Sequence, residues 1–122
     1  MNIFKKILDQ SKTSSKKIFL DQEYKYSDLY KLSKEYFSFF NSSLKRGEII
    51  CLVLPYSIDF IAIVLSARMN GNILCFLNPD NTDFENNTIL KQSNYSMIIS
   101  NKFFNKKNQK INHFYFMIKK NK

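Results

Sequence analysis

The chain has 122 residues, which suffices for one small domain with a buried core. Its content of 44% hydrophobic and 24% charged residues is ordinary for a folded protein and excludes disorder along most of its length. The net charge of +9 belongs to one end, because residues 1–100 hold 12 basic and 10 acidic residues, whereas residues 101–122 hold seven lysines and no acid.

The first 47 residues predict a short helix, a hairpin and a long helix. Apolar residues within 3–8 give the short helix one hydrophobic stripe. Two short strands over 18–20 and 24–26, separated by a polar turn, predict the hairpin. Ser27 is positioned to cap the long helix, with Asp28 beside the positive end of its dipole. This helix should run to about Leu44. Gly47 can adopt the left-handed conformation that terminates a helix, and it is the predicted terminator.

The middle of the chain predicts a strand–helix–strand unit. Residues 49–54 and 73–77 are continuously apolar, which is typical of parallel strands with both faces buried. Between them, residues 58–69 are apolar nearly all round, with Ser57 as a candidate N-cap and Gly71 as the terminator. We expect a parallel strand pair with a right-handed crossover through a largely buried helix.

The remaining elements are shorter. Thr82 and Glu85 match a capping box for a helix that ends near Ser93, and a strand follows within residues 95–100. Residues 101–110 are a Lys/Asn-rich linker, and residues 111–118 predict one further strand. The predicted fold class is therefore α/β, a small parallel or mixed sheet with helices on both faces. The predicted organisation is an α/β subdomain over 1–100 and a basic tail over 101–122.

Composition also limits location and redox chemistry. No window holds 18 consecutive apolar residues, and the first residues lack the apolar centre of a secretory signal, so a cytosolic location is expected. Cys51 and Cys75 fall inside predicted strands and are expected to stay reduced, although a disulfide between adjacent strands is geometrically conceivable. A zinc site is not expected, because His113 is the single histidine.

Three segments carry the most specific sequence pattern of the chain: Tyr24–Leu29, then Lys45–Ile50 followed by Leu54–Phe60, then Asn70–Pro79. In this order they resemble the opening of the adenylate-forming (AMP-binding) ligase family. Tyr24–Leu29 resembles its "x-T-Y-x-E-L" segment, and the second segment is similar to its "K-G-D-x-V" strand and "L-P-N-S-x-E-F" helix start. Asn70–Pro79 resembles its "A-G-A-x-x-x-P-L-N-P" motif, and residues 82–99 continue in the same order. The resemblance covers residues 18–100 and implies the N-terminal subdomain of such a ligase.

The chain departs from the family pattern at three positions. Asn70 and Asn72 replace alanines around Gly71, and Phe76 replaces a proline. No chemistry is expected to rest on these positions. The sequence Leu77-Asn78-Pro79 favours acyl- or aryl-CoA ligases over the adenylation domains of peptide synthetases.

The resemblance implies chemistry that this stretch does not carry. A complete member activates a carboxylate with ATP and magnesium to an acyl-adenylate, and then passes the acyl group to a thiol such as coenzyme A. Its phosphate-binding loop, ribose-binding aspartate and catalytic lysine lie beyond the matched stretch. Only Gly47 and Gly71 are present, and each is explained as a helix terminator, so no glycine-rich phosphate loop can form. We therefore assign no catalytic, cofactor-binding or metal-binding residue.

Several residue groups suggest sites but have simpler explanations. His113 has no carboxylate near it in sequence, and turn and cap roles explain Asp21, Glu23 and Asp28. Four aromatic residues at helical spacing indicate a hydrophobic core rather than base stacking: Tyr36, Phe37, Phe39 and Phe40. The tail could contact a polyanion through its lysines and the aromatic residues between them. The skewed, Lys-rich composition of the chain accounts for these residues equally well. They are Lys102, Phe103, Phe104, Lys106, Lys107 and Lys110.

Three functional hypotheses follow from the sequence. The first is a truncated or partial AMP-dependent ligase, a gene remnant or one piece of a split enzyme, that is inactive alone. The second is an interaction module that docks onto a partner carrying the missing parts, since a sheet cut short leaves open edges. The third is a polyanion-binding tail.

Overall fold

The computed structural model describes residues 6, 9–10, 17–19, 23–81, 83–100, 109–111 and 114–118. The chain divides into two compact units, one of residues 1–46 and 56–72 and the other of residues 47–55 and 73–122. Among the described residues, the first unit contains a hairpin and two long helices, and the second contains a five-stranded sheet and one helix. The predicted helix over residues 3–8 lies mostly outside the described residues.

The first unit starts with the predicted hairpin, whose antiparallel strands are β1 (Lys17–Phe19) and β2 (Glu23–Lys25). Helix α1 (Tyr26–Ser43) follows directly. The prediction that Ser27 caps this helix is wrong, because Lys25 is the N-cap residue. The Lys25 backbone N–H donates to Oδ2 of Asp28 at 3.1 Å, so the first-turn carboxylate fixes the start of the helix two residues earlier.

Helix α2 (Ile58–Met69) has the bounds that the sequence predicts. Oγ of Ser57 accepts a hydrogen bond from the Phe60 N–H at 3.1 Å, which confirms the predicted cap. Arg68 is the single exposed residue of the helix, as expected for a segment that is apolar nearly all round. Its buried residues are Ile58, Ala62, Ile63, Ser66 and Ala67.

Helices α1 and α2 pack against each other within this unit. The buried face of α1 contains Leu29, Ser33, Tyr36 and Phe40. The Tyr36 hydroxyl donates to Oδ1 of Asp59 on α2 at 2.7 Å. This bond gives a partner to the hydroxyl of a fully buried ring and joins the two helices.

Helix α2 ends in a Schellman turn around Gly71. Gly71 has a φ of +81°, the Asn72 N–H donates to the carbonyl of Ala67 at 3.0 Å, and the Gly71 N–H donates to that of Arg68 at 3.0 Å. A Cβ on Gly71 would lie 2.7 Å from Cγ of Arg46. Both the left-handed backbone and the space therefore favour glycine there.

The two asparagines beside Gly71 connect this turn to the end of α1. The Asn72 side chain is fully buried, and its Nδ2 donates to the Lys45 carbonyl at 2.9 Å. Nδ2 of Asn70 donates to Oδ1 of Asn72 at 2.8 Å and to the carbonyl of Phe40 at 3.3 Å. The residues that replace the family's alanines thus hold the ends of the two helices together.

The second unit contains a mixed sheet in the order β4–β3–β5–β7–β6. Strand β3 is parallel to β4 and β5, while β7 is antiparallel to β5 and β6. The predicted α/β class and the parallel pair joined through a helix are therefore confirmed. The bounds are β3 (Ile49–Val53), β4 (Ile73–Phe76), β5 (Met97–Ser100), β6 (Gln109–Ile111) and β7 (Phe114–Ile118).

Both faces of the central parallel strands are buried. One face carries a cluster with helix α3 (Asp83–Gln92), formed by Cys51, Val53, Leu77, Leu90 and Ile98. On the opposite face, alternate residues of β3 and β5 are at most 1% exposed: Ile50, Leu52, Met97 and Ile99. Continuous apolar sequence in these two strands therefore corresponds to burial on both sides.

The strand predicted over residues 111–118 is present as β7 over residues 114–118, but its predicted start is wrong. Ile111 belongs to a separate strand, β6, whose other two residues lie in the segment predicted to be a linker. The two strands are antiparallel, with Gln109 opposite Phe116 and Ile111 opposite Phe114. An apolar run does not show where a chain reverses, because the reversal is set by pairing of β7 with β5. The predicted domain division at residue 100 stays a prediction, and the capping box includes Thr82, which lies outside the described residues.

Replacing Asn72 with alanine should lower the free energy of unfolding by about 1–3 kcal/mol, because two buried hydrogen bonds are lost. The midpoint of urea denaturation measures this change. The matched control is Asn94→Ala at an exposed position, which should leave the midpoint nearly unchanged. Equal effects of the two substitutions would contradict the structural role of Asn72.

Candidate functional site

The carboxyl ends of parallel strands are the usual ligand-binding edge of an α/β sheet. Just beyond the end of β4, Oδ1 of Asn78 accepts the Asp80 N–H at 2.9 Å. The carbonyl of Asn78 accepts from Nδ2 of Asn86 at 3.3 Å. These hydrogen bonds build the turn that leads into α3, so the polar groups at this point stabilise the chain path.

Two thiols lie side by side on the face of the sheet that carries α3. Cys51 of β3 and Cys75 of β4 are register partners, both are free, and Cys75 packs against the cluster that contains Cys51. Sγ of Cys51 lies 3.8 Å from Oγ of Ser93, which donates to the Leu90 carbonyl at 3.1 Å. Cys51 is fully buried, whereas Cys75 is partly exposed.

Burial controls the ionisation of this cluster. It raises the pKa of Cys51 from 9.0 to about 12; the Ser93 hydrogen bond opposes this rise, and neighbouring Cys75 adds to it. Burial, together with the charge that Cys51 would carry, also raises the pKa of Tyr95. Near neutral pH Cys51 is therefore a neutral thiol and a poor nucleophile.

No constellation for metal binding is present in the part of the chain that the structure describes. Within these residues, no group of three or more His, Cys, Asp or Glu side chains is placed to hold a metal ion. The two cysteines form a pair, which is too few for a structural zinc site.

Strand β4 differs from the buried strand that its sequence predicts. Among the strands that the structure describes it is the end strand of the sheet, and Ile73 and Phe76 are 50% and 58% exposed. These two residues are three apart and so lie on opposite faces of the strand. A continuous apolar sequence indicates a strand of a parallel sheet, but it does not show whether the strand has a hydrogen-bonded neighbour on each side.

The predicted candidate residues occupy structural positions where they are described. Glu23 starts β2 and Asp28 bonds the first turn of α1. Tyr36 and Phe40 are fully buried on α1, while Phe37 and Phe39 are partly buried, which confirms the core interpretation. Lys110 lies on β6. The candidates outside the described residues are Asp21, Lys102, Phe103, Phe104, Lys106, Lys107 and His113.

The sequence raised a disulfide between Cys51 and Cys75 as conceivable, but it did not assign the thiol pair as a site. A signal for it exists, because Cys51 and Cys75 are each the third residue of strands predicted to be parallel neighbours. Equal positions in two such strands place side chains next to each other on one face when the register is unshifted. The register of Cys51 opposite Cys75 meets that condition.

Three solved structures have a fold similar to that of this chain. The inhibitor-bound N-terminal domain of FACL13 from Mycobacterium tuberculosis matches with a TM-score of 0.71 and 20% identity over 82% of this chain. A benzoate CoA ligase from Burkholderia xenovorans LB400 matches with 0.69 and 17% over 79%. The N-terminal subdomain of Klebsiella oxytoca NpsA, in complex with 3-hydroxyanthranilyl-AMSN, matches with 0.68 and 18% over 82%.

The fold is therefore that of the N-terminal subdomain of adenylate-forming ligases. No protein-family model matches the sequence, and no curated protein matches it. The chain spans 27%, 20% and 26% of the three matched chains, respectively, which is about a quarter of their length. Within the described residues, no helix is long and apolar enough to cross a membrane.

The raised pKa of Cys51 predicts a loss of stability at high pH. The folded state holds the proton more tightly than the unfolded state, so the contribution is complete below pH 9.0 and disappears as the pH rises toward about 12. Chemical denaturation over this range should show wild-type stability falling relative to Cys51→Ser, whose hydroxyl does not titrate there. If the stabilities of the two proteins fall in parallel with pH, the loss of stability does not come from the raised pKa of Cys51.

Proposed function

We propose that this chain is a partial adenylate-forming ligase of the acyl-CoA ligase type, and that it does not activate a carboxylate by itself. The observation that carries the proposal is the ligase fold over 82% of the chain, matched to 27% of the FACL13 domain. The activity of such a protein would be the ATP-dependent conversion of a carboxylate to an acyl-adenylate, followed by transfer to a thiol. The acid–thiol ligase reaction belongs to the complete protein in this proposal.

The described residues do not fit ATP, magnesium or coenzyme A. A glycine-rich phosphate loop needs several backbone amides that converge, and the two glycines of the chain are both placed elsewhere. Gly71 ends α2, whereas the prediction that Gly47 ends α1 is wrong, because the C-cap of α1 is Leu44 and Gly47 lies in the turn that follows it. Magnesium needs oxygen ligands that are grouped, and the described acidic residues form no such group. These groups would have to be held by polypeptide other than the part described.

One feature of the sequence supports the acyl-CoA ligase type. Leu77-Asn78-Pro79 leads out of β4 as in the motif of acyl- and aryl-CoA ligases. The Asn78 side chain bonds the turn before α3, which gives this motif a structural role in this chain. The cytosolic location stays a prediction from the sequence.

Purified protein should show no carboxylate-dependent exchange of pyrophosphate into ATP, because the phosphate-binding and charge-stabilising groups are missing. The assay measures label in ATP with aliphatic and aromatic carboxylates in turn, and a complete acyl-CoA ligase serves as the positive control. Exchange that exceeds the level of heat-denatured protein and requires the carboxylate would overturn the proposal.

A second function is favoured by the exposed edge of the sheet. Ile73 and Phe76 lie on opposite faces of the end strand, so a further strand beside β4 would cover apolar surface on both sides. The edge carries no charge, since residues 72–79 hold no acidic or basic side chain. The alternative function is therefore an interaction module that docks through β4 onto a partner supplying the rest of the ligase fold.

The docking alternative predicts that the purified protein associates as its concentration rises, because the edge can pair with another chain. Sedimentation velocity measures this association, and Phe76→Lys should abolish it. Ile89→Lys is the control, since Ile89 is also exposed, at 42%, but lies on α3. A clean monomer at all concentrations, with no protein that co-purifies, counts against the alternative.

A further inference from the structure

The cysteine pair has the placement that a disulfide requires. Cys51 and Cys75 are directly opposite in the parallel register of β3 and β4, so both side chains lie on the same face. Adjacent strands are about 4.8 Å apart, and disulfides join Cα atoms that are about 4.4–6.8 Å apart. The two thiols can therefore reach each other without a change of register.

Access to the pair is one-sided. Cys75 is partly exposed on the end strand of the sheet, beside the half-exposed Ile73. Cys51 is fully buried, with Cys75 on the adjacent strand and Ser93 at 3.8 Å. A small reagent from solvent consequently meets Cys75 first, and the accessible route for Cys51 is attack on the sulfur of a Cys75 that already carries the reagent.

We propose that Cys75 and Cys51 form a paired-thiol site that reacts with a low-molecular-weight disulfide, such as oxidised glutathione, and closes a disulfide between β3 and β4. The thiolate of Cys75 attacks one sulfur of the small disulfide, whose S–S bond breaks and releases one thiol. Cys51 then loses its proton to solvent and attacks the sulfur of Cys75. The second small thiol leaves, so the protein is oxidised by two electrons and the small disulfide is reduced to two thiols.

The surroundings of Cys51 determine the character of this reaction. The second step needs the Cys51 thiolate, and burial disfavours that ion, so the second step is slower than the first and accelerates as the pH rises. The Ser93 hydroxyl is the polar group at hand to stabilise the thiolate. The product would staple the end strand β4 to the central strand β3.

The test treats the reduced full chain with oxidised glutathione and follows intact mass and free thiols. The expected product is a monomer that has lost two hydrogens and both free thiols, and dithiothreitol restores it. Cys51→Ser should stop at a glutathione adduct on Cys75. Cys75→Ser should lose its Cys51 thiol at least about tenfold more slowly than wild type loses Cys75, until urea exposes it.

Three results would overturn the site. They are a glutathione adduct on wild-type Cys75 that persists with Cys51 still free when the pH is raised toward the pKa of the unfolded thiol, a disulfide-linked dimer, and equal reactivity of the two thiols in the folded protein. Circular dichroism establishes that each variant is folded, and Cys51→Ala replaces Cys51→Ser if the buried hydroxyl prevents folding. The outcome is independent of the ligase proposal, since no readout involves ATP or a carboxylate.

Discussion

Parallel pairing of β3 with a strand on each side is the constraint on which the rest of this structure depends. Strand β3 hydrogen-bonds to β4 and β5 at once, and its residues Ile50, Cys51 and Leu52 are at most 1% exposed. Parallel strands cannot be joined by a tight turn, so each link must be a long crossover, which is usually a helix and is a helix in both links here. The positions of α2 and α3 in the chain follow from that requirement.

The helical unit shows how a sequence can depart from a family pattern and keep the same turn. Gly71 supplies the left-handed residue of the Schellman motif, and its neighbours Asn70 and Asn72 are free to differ from alanine. The side-chain amide of Asn70 donates to the Phe40 carbonyl, and that of Asn72 donates to the Lys45 carbonyl. Polar side chains are stable in this position because each one finds a partner within hydrogen-bond distance.

The end strand β4 underlies both the proposed docking surface and the proposed thiol site. Its sequence is that of a strand buried on both sides, yet it ends the sheet and leaves Ile73 and Phe76 half exposed. The same position at the edge gives solvent access to Cys75, while Cys51 one strand inward stays enclosed.

The sequence by itself determined the α/β class, the bounds of α2, the Ser57 cap and the glycine that ends the helix, because these depend on local periodicity and backbone preference. It could not locate the start of α1, where the carboxylate of Asp28 acts in place of a Ser27 cap. Only the tertiary structure decided that β4 lies at an edge, that the segment after residue 108 reverses into β6 and β7, and that the two cysteines face each other. Strand order and register arise from pairing between residues that are distant in sequence. The apolar pattern of a strand is the same whether the strand lies at the edge of a sheet or between two other strands.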